Sequence, residues 1–267
     1  MENEKEGYLV VSDYIYVHLD SVTNSVLSKG VTFKDHEEII RKVPENILLL
    51  NASKDIGEFD PHTGFQMIRG EEKVTNYLEA NIDRDTSHTL KWIDFESIEL
   101  LRQLTPVEIS ELLYVAHAHT HLHSPFYYKL QNNYIYLPMT DNFKKVYFRY
   151  LEQFYGFLSA SLTKSLGLKC NEKKKFFQKE TEIQPIPNEL IKELIPFLRE
   201  GVLFSFTQMQ IKKQQQMCEI PIYLVEDRLR DVNQTFLKKD LLGTISYDKN
   251  QKEWSFRQED SLQPLVE

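Results

Sequence analysis

Apolar residues recur along this chain with two periods, and the places where one gives way to the other outline its elements. Runs rich in β-branched and aromatic residues read as strands. Residues 8–19 form one such strand or a bent pair, and residues 46–51 a short one. Thr89–Phe95 alternates apolar and polar positions and reads as a strand, and Asn133–Leu137 and Lys144–Arg149 read as two more. Val202–Ile211 and Met217–Val225 flank a polar Lys-Gln loop and predict a hairpin, and Thr244–Tyr247 with Trp254–Arg257 predict a second.

Between these runs the spacing becomes helical. Thr105-Pro106-Val107-Glu108 places Thr at an N-cap, Pro at the first helical position and Glu at the third, so two orphan N–H groups are satisfied reciprocally. Leu104 and Ile109 stand at the positions of a hydrophobic staple, and Ile109, Leu112, Leu113 and Ala116 continue one apolar face. A short helix is expected over Glu96–Gln103. A longer one carries Leu151, Phe154, Tyr155, Leu158 and Leu162, with Gly167 as its C-cap. Another carries Leu190, Ile191, Leu194 and Leu198, with a kink at Pro196 and an end at Gly201.

Punctuation falls at Asp60–Gly64 and Pro138–Asn142, which read as turns, and at Ser124-Pro125, which should end the segment begun at Thr105. Strands adjacent in sequence and joined by short polar turns imply antiparallel pairing. Helices interspersed among hairpins make the expected fold class α+β, an antiparallel sheet built from hairpins with several packed amphipathic helices. The whole of 1–267 is expected to form one domain, or two lobes meeting at a surface joint near the polar, lysine-rich residues 170–188.

Composition then narrows the function classes. Hydrophobic residues make up 41% of the 267, enough for a large core. The formal net charge of −8 provides no global positive field for nucleic acid. Nine glycines, with neither Gly-x-Gly-x-x-Gly nor Gly-x-x-x-x-Gly-Lys-Ser/Thr among them, argue against a nucleotide cofactor. The two cysteines, Cys170 and Cys218, form no Cys-x-x-Cys pair. The polar, acidic N-terminus lacks the basic region of a secretory signal, and no run approaches the ~18 apolar residues of a membrane span. A soluble cytoplasmic protein with reduced thiols is the expectation.

One segment departs from this ordinary composition. Four of the eight histidines, His117, His119, His121 and His123, fall within seven residues. In an extended chain the four rings share a face over about 20 Å, so one metal ion reaches at most two neighbours at the ~2.0–2.1 Å of a zinc–imidazole bond. In a helix, His117 pairs with His121 and His119 with His123, each one turn apart, but no carboxylate lies between them as a zinc-protease helix requires. The plainer reading is a polar helix end, where imidazolium suits the dipole.

Three functional readings follow. The leading one is a non-enzymatic regulator or assembly component whose partner is another protein, with no cofactor, membrane or nucleic acid; no catalytic residue is assigned. The second is a metal-dependent hydrolase, with zinc held by two tract histidines and a third ligand such as His62, His88 or Asp60. The third is a nucleic-acid binder through residues 143–157, where aromatics interleave with Lys144, Lys145 and Arg149. Lys173–Lys175 with Phe176 and Phe177 reads as a solvated loop, and Glu226–Asp231 as an exposed, salt-bridged helix. The helical-pair version of the metal site predicts that His117→Ala/His121→Ala loses zinc or nickel binding in calorimetry. Binding equal to the wild type rules that version out.

Overall fold

The computed structural model describes residues 13–31, 43–51, 56–82, 91–117, 129–139, 142–171, 182–225 and 240–259. In chain order the elements are β1 (Tyr14–Asp20), β2 (Ser25–Lys29), β3 (Asn46–Leu49), β4 (Glu58–Phe59), β5 (Gln66–Arg69), α1 (Glu71–Ile82), β6 (Trp92–Phe95), α2 (Ile98–Arg102) and α3 (Pro106–His117). They continue with β7 (Gln131–Pro138), β8 (Lys144–Phe148), α4 (Leu151–Asn171), α5 (Asn188–Glu193), α6 (Ile195–Glu200) and β9 (Val202–Ser205). The last are β10 (Gln210–Lys212), β11 (Met217–Leu224), β12 (Leu241–Asp248) and β13 (Glu253–Gln258). Helices and a large antiparallel sheet together make up the fold.

The strands lie in the order β13-β12-β11-β9-β1-β2-β8-β7-β6-β3-β5-β4, with β10 beside β11. Every pairing is antiparallel. β1 pairs with β9, so strands on both sides of residues 170–188 share one sheet. Sequence neighbours predict the hairpins but not this join, which brings Val17 opposite Val202.

The hydrophobic pattern explains how the sheet is covered. In β3, Ile47 and Leu49 enter the larger core with α1 and α4, while Leu48 enters a second core with α2 and α3. β7 divides in the same way, Tyr134 and Tyr136 to one side and Ile135 and Leu137 to the other. Strands covered on both faces are near-continuous apolar runs, because alternation would leave polar side chains in a core. β13 alternates instead: Trp254 and Phe256 pack on the larger core, and Glu253, Ser255 and Arg257 are exposed.

Local chemistry fixes α3. The Thr105 N–H donates to Glu108 Oε2 at 2.7 Å, and the Glu108 N–H donates to Thr105 Oγ1 at 3.3 Å, so the capping box is formed. Leu104 and Ile109 join the same core cluster, as a staple requires. At the other end, buried Lys91 donates through Nζ to the carbonyls of Ala116 (2.9 Å) and Val115 (3.5 Å). That ammonium satisfies carbonyls the helix leaves without intrahelical donors.

Two expectations are corrected. Gly167 does not end the long helix; α4 runs on to Asn171, because Leu166 and Cys170 extend its buried face and hold the last turns on the core. The hairpin arm over 202–211 is broken into β9 and β10. Of the expected joint near 170–188, residues 172–181 lie outside the described residues, and residues 184–186 pack against α4 and β13. The Ser159 hydroxyl donates to the Ile186 carbonyl at 2.7 Å, Trp254 Nε1 donates to the Gln184 carbonyl at 2.7 Å, and Ile186 is buried.

Pro196 does divide its helix. It has no N–H for the Lys192 carbonyl, so α5 stops and α6 restarts on the Leu194 carbonyl, which Leu198 N meets at 2.9 Å. Gly201 then takes φ 96°, a conformation costly for residues with a Cβ.

Thr105→Ala should destabilise the protein by about 1 kcal/mol, measured by urea unfolding at neutral pH. The capping bonds from Thr105, aided by Lys129, hold the Glu108 carboxyl below its ordinary value of 4.5 despite the opposing effect of burial. Glu108's share of the stability is therefore present above pH 4.5 and lost as the pH falls through the lowered value.

Candidate functional site

The histidine tract enters the described structure only at its first member. His117 is the last residue of α3 and is exposed. His119, His121 and His123 lie outside the described residues, as does His88. Among the described residues no group of three or more His, Cys, Asp or Glu side chains is placed to hold a metal ion. The two further ligand candidates have local roles. Asp60 Oδ2 accepts from Thr63 N (3.0 Å) and Thr63 Oγ1 (2.6 Å), closing the predicted turn. His62 Nε2 lies 2.9 Å from the Leu104 carbonyl and donates to it.

Most of the basic-aromatic segment 143–157 is buried; of its aromatics Tyr150 is exposed, with the Arg149 guanidinium 5.7 Å from its ring centre. Phe143, Val146, Tyr147, Phe148, Phe154, Tyr155 and Phe157 are core residues, and Lys144 and Lys145 are buried with them. Lys144 Nζ donates to the Val31 carbonyl. Lys145 lies 5.2 Å from the centre of the Tyr147 ring. Arg149 Nη1 donates to the Gln131 carbonyl at 3.1 Å. The interleaving that suggested base stacking arises from β8 being covered on both faces, its lysines meeting protein acceptors or rings. Lys173–Lys175 and Glu226–Asp231 lie outside the described residues.

A polar network missed by sequence reading is buried beneath this segment. The register of β6 on β7 passes from Ile93↔Ile135 to Phe95↔Gln131, so β7 carries extra residues at the irregularity. Asp94 Oδ2 accepts there from Asn133 N (3.1 Å) and Asn133 Nδ2 (2.7 Å), and Gln131 Nε2 donates to the Tyr147 carbonyl (2.9 Å). A fully buried carboxylate needs such donors. The arrangement secures the bulge; it displays no reacting atom to solvent.

The described residues with the clearest chemical potential are the two cysteines. Cys170, in the last turn of α4, and Cys218, near the start of β11, bring their sulfurs to 3.3 Å across 48 positions of sequence. Both are free thiols and buried. Each position follows from its element's pattern: Leu162, Leu166 and Cys170 recur every four residues on the inner face of α4, and Cys218, Ile220 and Ile222 alternate inward on β11. The sequence reading ended the helix at Gly167 and left Cys170 in the polar joint, so neither its inward phase nor its contact with Cys218 was legible.

The two thiols titrate as a pair. The hydrogen bond between them favours thiolate on Cys218, pulling it down to about 7 against the opposing effect of burial, and the Lys249 ammonium assists. The same bond, with burial, pushes the Cys170 thiol well above the ordinary range. One proton leaves the pair easily and the second with great difficulty, since two thiolates in contact would repel.

A second feature lies on the outside of α3. Val107 (68% exposed), Leu113 (45%) and Tyr114 (51%) face outward together with Ser110 and His117. Their opposite numbers Leu112, Val115 and Ala116 are buried. The helix is thus apolar beyond the stripe its own core requires. No helix among the described residues is long and apolar enough to cross a membrane.

The fold and these two features define an antiparallel α+β protein with a buried thiol pair and a partly apolar outer helix. No protein-family model matches the chain, and neither a curated protein nor a solved structure matches it.

Proposed function

We propose that the protein is a non-enzymatic, protein-binding regulator or assembly component that docks through the outward face of α3. The observation that carries this reading is the exposure of Val107, Leu113 and Tyr114 on one side of a single helix. Isolated apolar residues are ordinary on protein surfaces, but three large ones on one rigid face supply a hydrophobic anchor of the kind that dominates interfaces. The face is rigid because the capping box holds one end of α3, Lys91 holds the other, and Leu112, Val115 and Ala116 fix its inner side. A preformed face loses little conformational entropy on binding. The partner this chemistry fits is a protein presenting apolar side chains. The reading sets the protein in the cytoplasm, with its thiols reduced at rest.

The test compares Val107→Asp/Leu113→Asp with Val22→Asp, a surface control in the turn between β1 and β2. Each is used for affinity purification from the cells that make the protein, after circular dichroism establishes the fold. A stoichiometric protein partner kept by the wild type and by Val22→Asp, but reduced at least ten-fold by the double variant, is the expected result. A partner retained in full by the double variant, or none recovered with the wild type, overturns the reading.

A further inference from the structure

The thiol pair stands apart from the docking face and from every ligand set considered for the histidine tract. Its two sulfurs come from segments that are distant in sequence and packed in one core, and they touch. A disulfide needs its sulfurs at about 2.05 Å, so closing the 3.3 Å contact asks for little more than about 1 Å of movement. Cys170 is the better placed to supply it, because it lies one residue before the end of α4, where a helix is most adjustable. Cys218 is anchored between neighbours, opposite Tyr247 on β12 and Ile211 on β10. Cys170 keeps 9% of its surface exposed while Cys218 keeps none, so the pair is reachable by a small oxidant from the Cys170 side alone.

We propose that Cys170 and Cys218 are a redox modification site, converted by hydrogen peroxide into a reversible intramolecular disulfide that locks the end of α4 onto β11. The chemistry balances in two steps. A thiolate of the pair attacks the peroxide; an S–O bond forms, the O–O bond breaks, and the departing hydroxide takes a proton to become water. The partner sulfur then attacks the sulfenic sulfur; the S–S bond forms, the S–O bond breaks, and a second water leaves. Two thiols lose two electrons in all, and one peroxide is reduced to two waters. The charge rests on Cys218, and passage of the Cys170 proton across the 3.3 Å contact to Cys218 moves it to the reachable Cys170 sulfur, which reacts first. The Lys249 ammonium beside both sulfurs steadies that charge. A thiol reductant reverses the product by exchange.

The consequence is mechanical. A bond across 48 positions removes loop-closure freedom from the unfolded chain, which favours the folded state roughly a thousand-fold in the chain-entropy account. That should appear as a rise of several degrees in Tm.

The experiment uses the full chain, reduced, desalted and exposed to hydrogen peroxide, with remaining thiols then alkylated. Trypsin without reductant should release residues 170–173 joined to residues 214–228, and neither cysteine should carry the alkyl label. Dithiothreitol should separate the two peptides and restore both labels. Oxidised wild type should melt several degrees above the reduced form, and Cys170→Ser should show neither the joined peptides nor the shift. The proposal is overturned if both cysteines remain alkylatable, if oxygen adds to one sulfur without joined peptides, or if only links between chains form. Because the joined peptides are read on the wild type, a misfolded variant would not rescue or sink it. Since the docking face takes no part, failure here leaves the partner reading intact, and the reverse also holds.

Discussion

Burial of β8, β7, β6 and β3 between two layers of helices is the constraint on which the rest of the structure depends. Trp92 sits at its centre, its ring 4.7 Å from that of Tyr134 in an edge-on contact and 6.0 Å from that of Tyr136. Each large side chain buried there contributes roughly 1.5–3 kcal/mol through removal from water. The same burial makes polar groups costly unless they are bonded. Asp94, Asn133, Gln131 and Arg149 therefore form a connected set of donors and acceptors, and Lys144 reaches the Val31 carbonyl.

Both candidate functional features follow from that central slab. On one face α3 is held against Leu48, Ile93 and Ile135, which leaves its outer side free to carry Val107 and Leu113 in a fixed orientation. On the other face α4 leaves β8 and crosses the larger core until its last turn brings Cys170 to Cys218 on β11. The long helix spans the join between the doubly covered half of the sheet and the half whose strands alternate. A covalent bond at its end would therefore couple the two halves, which among the described residues are joined by β1, β2 and β9 along the sheet and by packing.

Local signals were legible in the sequence and long-range ones were not. Thr105 and Glu108 act across three positions, so their spacing alone specifies the start of α3. Pro196 and Gly201 likewise act through their own backbone. Gly167 misled because a glycine can cap a helix or lie within one, and the packing of Leu166 and Cys170 decided between them. Residues 143–157 read as a strand passing into a core-facing helix, and they form one; a basic stacking surface shares that composition, and the neighbours of Lys144 and Lys145 separate the two for those side chains. The join of β1 to β9 and the contact of Cys170 with Cys218 depend on topology, which periodicity does not encode.

Native-state hydrogen exchange tests the central claim most directly, because it assigns an opening free energy to each strand. Amides of Tyr134–Leu137 and Val146–Phe148 that take part in the sheet's hydrogen bonding should exchange only through global unfolding, with a free energy equal to that from urea denaturation. Amides of the edge strand β13 should open at lower cost. Exchange of β7 and β8 at a free energy well below global unfolding, while β11–β13 stay protected, would contradict the account.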